Sequence, residues 1–311
     1  MINPRLDASM EASGLPGCVD LLNDFALSGG KQLRPTLVLT ISGALGVSHD
    51  EALPYAIAAE RVHGASLLHD DVIDESTVRR GRSTFNASGK NRQAVLAGDL
   101  LLAEALRGLS KTRNYLALEN LIDVLATLSE GELLQNEARN QIEVSERHLF
   151  EVATKKTGSL IAWCCATPLL IKELPAMDSI KYTALKRLGL HVGTAFQLID
   201  DCIDFDSSSG KPFAQDLREG LINFVTCYLL EQTPQLKQTL FSEEAVSHIQ
   251  KSLAPALNIS IKRTLDKAKI EVSSASAYLE RAGFDSIFNK TIHDKVLQPF
   301  YDRIDLLEKN L

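Results

Sequence analysis

Two clusters of aspartate share one spacing, D-D-x-x-D, and each follows a largely apolar run. Their members are Asp70, Asp71, Asp74, Asp200, Asp201 and Asp204. On a helix, residues i, i+1 and i+4 lie within about 100° of arc, so each cluster would project three carboxylates from one face. Oxygen ligands without His or Cys suit Mg²⁺, which completes its shell with water and substrate phosphates. The clusters therefore predict a magnesium site for a phosphorylated substrate. The alternative is a pair of solvated helix ends, and the repetition behind apolar runs argues against it.

Basic and polar residues that could bind the phosphate lie near these clusters in the sequence. In GGKQLRP, Lys31 and Arg34 fall in the first turn of a predicted helix after two glycines, where they could clamp a phosphate. The other candidates are His63, Arg79, Arg80, Lys155, Lys156, Thr157, Gln197 and Lys211. Each alone could be a surface charge or a hydrogen-bonded core residue, but together they favour a site for a diphosphate and a metal ion.

The elements that must position these residues are helices. Proline is absent between Pro54 and Pro168, and the apolar residues in that interval recur at helical rather than alternating spacing. We predict helices over roughly residues 31–46, 51–74, 92–110, 114–142, 146–172, 178–206, 220–231, 241–252, 257–282 and 290–308. No β–α alternation, G-x-G-x-x-G or Walker-type loop occurs, which argues against Rossmann and P-loop nucleotide sites. No composition shift marks a boundary, so one all-α domain over residues 1–311 is expected.

Composition excludes several classes of protein. The chain has 311 residues, of which 45% are hydrophobic, and a net charge of −7 without a basic run, which argues against nucleic-acid binding. The five cysteines lack C-x-x-C spacing, so neither a zinc site nor a disulfide framework is indicated. No transmembrane segment is expected, and the acidic N-terminal residues lack the apolar segment of a secretory signal. A cytoplasmic location is expected.

Taken in order, the motifs resemble those of the trans-isoprenyl (polyprenyl) diphosphate synthases. They are GGKQLRP, ERVHGASLLHDDVIDESTVRRG, AVLAGDLLL, GELLQ, KKTG, FQLIDDCIDF and GKPFAQDLREG, and they extend over residues 29–220. The resemblance implies an all-α, single-domain helical bundle around a deep central cavity, as a homodimer. It also implies a prenyltransferase of isoprenoid biosynthesis that condenses isopentenyl diphosphate head-to-tail onto an allylic diphosphate.

The resemblance also implies a role for each candidate residue. The six aspartates would hold Mg²⁺, roughly three ions per active site. The allylic diphosphate would be bound by Arg79, Lys156, Gln197 and Lys211, and isopentenyl diphosphate by Lys31, Arg34, His63 and Arg80. Lys156, Thr157 and Gln197 would be catalytic, the last two directing oxygen dipoles at the developing carbocation.

Two positions bear on specificity. Leu221 stands where the family often has a lysine, which predicts a weaker or altered preference for the allylic substrate. Ala65 and Ser66, one turn before Asp70, are small where short-chain members have a bulky aromatic floor, which predicts a product longer than C20, in the C30–C50 range.

A short-chain farnesyl or geranylgeranyl diphosphate synthase and a subunit of a heteromeric synthase remain alternatives. A terpene cyclase or head-to-head condensing enzyme is less consistent with GGKQLRP.

Overall fold

The structure is a computed structural model that describes residues 32–76, 78–79, 82–84, 87, 89–172, 179–207 and 212–311. The candidates Lys31, Arg80 and Lys211 lie outside the described residues. For Arg79, the structure describes the backbone, which pairs with Arg82 in a short antiparallel hairpin.

Helices account for most of the described residues, which confirms the all-α prediction. They are Leu33–Ala44 (α1), His49–Ile73 (α2), Asn91–Lys111 (α3), Tyr115–Glu137 (α4), Glu146–Ala153 (α5), Ser159–Lys172 (α6), Ile180–Ile203 (α7), Gln215–Arg218 (α8), Phe224–Gln232 (α9), Glu243–Ser252 (α10), Ala254–Arg281 (α11), Ser286–Ile292 (α12) and Gln298–Glu308 (α13). Val78–Arg79 (β1) and Arg82–Ser83 (β2) form the hairpin. Thr154–Gly158 and His293–Leu297 are π-helical turns, and Pro234–Gln238 is a 3₁₀ turn. No helix in the described part of the chain is long and apolar enough to cross a bilayer.

The contacts divide the chain into two compact units. The first comprises Met1–Glu119 and Thr167–Pro175, and the second comprises Asn120–Ala166 and Ala176–Leu311. Two of the three divisions therefore fall inside α4 and α6. The single domain and the central cavity implied by the resemblance stay predictions.

In the first unit, α2 packs between α1 and α3. Its start is well defined because Ser48 and Glu51 form a capping box, in which each side chain binds the other residue's backbone N–H. Small apolar residues such as Ala59 and Ala65 are fully buried along α2, together with Leu68. The helix therefore leads from a capped start to the first aspartate cluster at its other end.

In the second unit, α7 packs against α11 and against the π-helical turn Thr154–Gly158. Leu188 and Val192 of α7 are fully buried, as are Leu265 and Ala268 of α11, at the helical spacing expected for two packed apolar faces. This packing sets the position of the second cluster, which lies at the end of α7.

Three predicted helices differ clearly from the observed ones. The helix predicted over 290–308 begins earlier, at Ser286, and is interrupted by the π-helical turn His293–Leu297. The helix predicted from residue 220 begins only at Phe224, because Gly220 adopts a left-handed φ of 77° and Asn223 caps the helix by accepting the Thr226 N–H. The helix predicted over 146–172 is interrupted by the π-helical turn, whose wider ring is a local insertion that periodicity does not reveal.

Candidate active site

The first aspartate cluster ends α2. Asp70 and Asp71 lie in its last turn and Asp74 is its C-cap, after which Glu75 takes a left-handed φ of 51° and the helix stops. Asp71 is buried, whereas Asp70 and Asp74 are half-exposed. The carboxyl end of a helix carries partial negative charge, so carboxylates are unfavourable there unless a cation compensates them. The three carboxylates therefore destabilise the end of α2, which is consistent with a role in binding a cation.

The neighbouring residues of α2 are held by local contacts. The Ser66 hydroxyl donates to the His63 carbonyl oxygen over 2.9 Å, and Ala65 beside it is fully buried. His63 and Ser66 are half-buried, as is Arg34 in the first turn of α1. The roles of these residues in substrate binding and chain length stay predictions.

The glycine of AVLAGDLLL, Gly98, lies against His69, a residue that the sequence did not single out. The His69 ring lies over Gly98 of α3, where a Cβ would come within 2.2 Å of Nε2. His69 Nε2 is also 3.2 Å from the Val95 carbonyl oxygen and 3.5 Å from an Asp99 carboxylate oxygen. The glycine thus lets α3 approach α2 next to Asp70.

The second cluster also ends its helix, with Asp204 as the C-cap of α7. Asp201 is buried and accepts two hydrogen bonds, from Gln197 Nε2 over 2.9 Å and from the Phe224 N–H over 3.0 Å. Asp200 is half-exposed. Asp201 thereby joins α7 to the start of α9.

Asp204 anchors the segment that leads into α8. Its carboxylate accepts the N–H groups of Gln215 and Asp216 over 2.9 and 3.3 Å, and its backbone carbonyl accepts the Ala214 N–H over 2.8 Å. Asp204 is only 5% exposed, so its carboxylate oxygens bind mainly to groups of the protein itself. Its role as a metal ligand stays a prediction.

The buried carboxylates have strongly shifted acidities. Burial, reinforced by the charge of Asp216, raises the pKa of Asp201 well above its usual range. The same two causes raise the pKa of Asp204 to about 9. Carboxylates placed together in this way resist ionisation unless a positive charge accompanies them.

The KKTG motif forms the π-helical turn, and two glycines bring it close to its neighbours. A Cβ on Gly193 of α7 would lie 2.5 Å from the Gly158 Cα, and one on Gly131 of α4 would lie 2.8 Å from the Lys156 backbone nitrogen. The Thr157 hydroxyl then reaches α7 and donates to Gln197 Oε1 over 3.0 Å. Thr157, Gln197 and Asp201 thus form a continuous hydrogen-bonded chain.

The backbone around Leu221 forms a hydrogen-bonded turn, in which the Leu221 N–H donates to the Asp216 carbonyl oxygen over 2.8 Å. Asn223 caps α9 and donates from Nδ2 to Asp216 Oδ2 over 2.8 Å, so an amide engages this carboxylate. Gly220 lies against Asn140, whose N–H donates to the Gly220 carbonyl oxygen over 2.7 Å. Asp216 and Asn223 were not among the predicted site residues, although both fall in or beside GKPFAQDLREG.

The carboxylate oxygens of the two aspartate clusters fit Mg²⁺ ions whose coordination shells the protein fills only in part. In the part of the chain that the structure describes, no group of three or more His, Cys, Asp or Glu side chains could hold a metal ion. An ion at either cluster would complete its shell with water and phosphate oxygens, which Mg²⁺ commonly does. The all-oxygen ligands and the mutually repelling carboxylates of α7 are consistent with that ion.

Comparison with known proteins identifies the family. Residues 17–254 match the sequence model of the Polyprenyl synthetase family. The chain belongs to this family. The all trans-polyprenyl-diphosphate synthase PDSS1 of Mus musculus is 36% identical over 217 residues, which are 67% of this chain and 52% of that protein. The octaprenyl diphosphate synthase of Escherichia coli is 30% identical over 262 residues, 81% of this chain and 80% of that protein.

Solved structures of polyprenyl synthases have the same fold. A decaprenyl diphosphate synthase from Rhodobacter capsulatus superposes with a TM-score of 0.79 at 26% identity, covering 96% of this chain and 91% of that one. A polyprenyl synthase from Caulobacter crescentus, complexed with calcium and isoprenyl diphosphate, gives 0.80 at 25% identity, covering 97% and 95%. The chain spans about half the length of the curated mouse, human and Dictyostelium discoideum relatives.

Proposed function

We propose that the protein is a magnesium-dependent trans-polyprenyl diphosphate synthase that condenses isopentenyl diphosphate head-to-tail onto an allylic diphosphate. The observation that carries this proposal is the hydrogen-bonded chain Thr157–Gln197–Asp201, which joins KKTG to the second aspartate cluster. Family membership and the names of the relatives, which include decaprenyl and octaprenyl diphosphate synthases, support a product longer than C20.

The two aspartate clusters would hold the metal ions, with Asp70, Asp74 and Asp200 the more accessible members. Bound Mg²⁺ would neutralise the negative charge that develops on the departing diphosphate. Asp201 would act from a fixed position because Gln197 and the Phe224 N–H hold both of its oxygens. Asp204 would chiefly shape the segment leading into α8.

The remaining residues would orient the substrates. Lys156 would bind the allylic diphosphate, together with Arg79 and Lys211, while Lys31, Arg34, His63 and Arg80 would bind isopentenyl diphosphate. Gln197 donates its N–H to Asp201, so its carbonyl oxygen faces Thr157, and a second lone pair on that oxygen could stabilise the allylic cation. The double bond of isopentenyl diphosphate, held alongside, would be the nucleophile, so no side-chain nucleophile is required. The cation formed by this attack would then lose a proton to the released diphosphate, which leaves the double bond of the product.

We further propose a homodimer in the cytoplasm. Apolar side chains near the start of α3 are consistent with an oligomer, because the neighbouring residues Val95 and Leu96 are 40% and 66% exposed. The described cysteines Cys164, Cys165, Cys202 and Cys227 are free thiols, which is consistent with a reducing compartment. Light scattering on the purified protein would measure the mass; a monomer would contradict the dimer.

The activity is tested by incubating the purified protein with labelled isopentenyl diphosphate, Mg²⁺ and each allylic primer in turn, then sizing the products by chromatography. We expect products longer than C20 that disappear with EDTA and in Asp70→Ala and Asp200→Ala variants. Products of C15 or C20 would instead indicate a short-chain synthase. No incorporation with any primer would refute the proposal. Incorporation that appears only after a second polypeptide is added would indicate a subunit of a heteromeric synthase.

A further inference from the structure

The contact between α4 and the π-helical turn contains two acid–lysine pairs. Glu130 and Glu132 flank Gly131 on α4, and Lys155 and Lys156 are adjacent in the turn. A Cβ on Gly131 would lie 2.8 Å from the Lys156 backbone nitrogen and 2.9 Å from the Lys155 Cβ, so the two backbones are in close contact there. The glycine therefore places one acid beside each lysine.

The two pairs differ in their exposure to solvent. The Lys155 ammonium is 3.1 Å from Glu130, whose side chain is 61% exposed. The Lys156 ammonium is 2.5 Å from Glu132, and these two side chains are only 23% and 17% exposed. Exposed ion pairs contribute little, whereas a buried carboxylate that loses its counter-ion is left uncompensated.

Glu132 depends on Lys156 for its charge balance. Both of its carboxylate oxygens are shielded from solvent, and neither accepts a hydrogen bond of normal geometry within the described residues. The close Lys156 ammonium supplies the opposite charge. Since α4 and the turn are packed backbone to backbone, this carboxylate is a fixed point rather than a mobile surface group.

We propose that Glu132 is a positioning residue that holds the Lys156 ammonium ready for the allylic diphosphate. The inference rests on the proposed function, in which Lys156 binds that group. A free lysine side chain loses conformational entropy when it is immobilised, and a fixed partner removes most of that cost from the binding step. An ammonium has three N–H donors, so Lys156 can contact Glu132 and diphosphate oxygens at the same time. An ammonium that is already in position can stabilise the departing diphosphate without a movement of the lysine side chain.

The test compares Glu132→Gln and Glu132→Ala with Glu130→Gln, the matched change at the exposed pair. We expect kcat to fall roughly 10- to 100-fold in Glu132→Ala, by less in Glu132→Gln, which keeps one hydrogen-bond acceptor, and by under about twofold in Glu130→Gln. The KM for isopentenyl diphosphate should stay within about twofold in all three. Thermal unfolding of each variant would separate loss of fold from loss of turnover.

A second comparison distinguishes positioning from general structural support. In a Lys156→Met background, Glu132→Gln should cause almost no further loss of activity, because a residue that acts through Lys156 has nothing left to position. An equal loss with and without Lys156 would overturn the inference, as would a Glu132→Gln variant that behaves like Glu130→Gln in an active enzyme. A wild-type chain that is inactive with every primer would instead overturn the proposed function. If Glu132→Ala does not fold, the isosteric Glu132→Gln variant still decides the question.

Discussion

Replacing Gly193 by alanine should damage turnover more than stability. Gly193 lies on α7 where that helix meets the π-helical turn, and an added Cβ would be 2.5 Å from the Gly158 Cα and 3.0 Å from its nitrogen. The neighbouring atoms are backbone, so no flexible side chain can move aside. The helix and the turn must therefore separate.

The size of the effect follows from these distances. Carbon atoms pack at about 3.5–4.0 Å, so the separation must grow by roughly 1 Å. Such overpacking costs about 1–3 kcal/mol, and the better helix propensity of alanine returns about 0.5–1 kcal/mol. The 3.0 Å hydrogen bond from Thr157 to Gln197 spans the same contact, so it should break. A displacement of about 1 Å at reacting groups can lower the rate by roughly 10²-fold.

The assay is steady-state condensation alongside urea unfolding. We expect kcat to fall between about 10- and 100-fold while the free energy of unfolding falls by about 1–2 kcal/mol. Gly43→Ala in α1 is the control, because its Cβ would have no neighbour within 4 Å. That variant should be as active as wild type and more stable by about 0.5–1 kcal/mol.

Two results would refute this reasoning. The first is a Gly193→Ala enzyme with kcat within twofold of wild type, which would mean that the register of the turn on α7 does not set the chemistry. The second is an equal loss of activity in Gly43→Ala, which would show that helical glycines matter here for another reason.

Three further predictions concern product length, substrate affinity and pH. Ala65→Phe fills a fully buried position before Asp70 and should shorten the product; an unchanged chromatogram would place the floor of the tunnel elsewhere. Leu221→Lys adds a cation at a half-buried position. It should lower the KM for the allylic diphosphate about fivefold, which corresponds to about 1 kcal/mol of binding free energy. An unaltered KM in initial-rate assays would mean that this side chain does not face the diphosphate. Burial and Asp216 raise the pKa of Asp204 to about 9, so the metal-free native state retains a proton that the unfolded chain releases near pH 4. The free energy of unfolding in EDTA should therefore fall as the pH rises from 5 to 9, by at most about 1.4 kcal/mol per pH unit. The fall should be smaller in Asp204→Asn, which has no carboxyl group to titrate at this position. Urea titrations that show a rise instead would contradict a raised pKa for Asp204.

Local pattern was enough to identify the family of this protein. The D-D-x-x-D spacing places three carboxylates on one helical face wherever that helix lies, because the period of a helix is a local property. The apolar runs before Asp70 and Asp200 likewise predicted buried helices, and α2 and α7 are observed there. The family resemblance was confirmed by the match of residues 17–254 to the sequence model of the family.

The contacts between motifs were decided only by tertiary structure. Thr157 and Gln197 are 40 residues apart, and they meet because Gly158 and Gly193 allow two backbones to touch. The capture of the Asp204 carboxylate by the amides that begin α8 also depends on how a loop returns, which helical periodicity does not encode. The amino-acid sequence by itself determined which groups are available for the chemistry, since residue type and helical spacing are local. Packing at a few glycines determined which of those groups are tied to one another, since close approach of backbones depends on the whole fold.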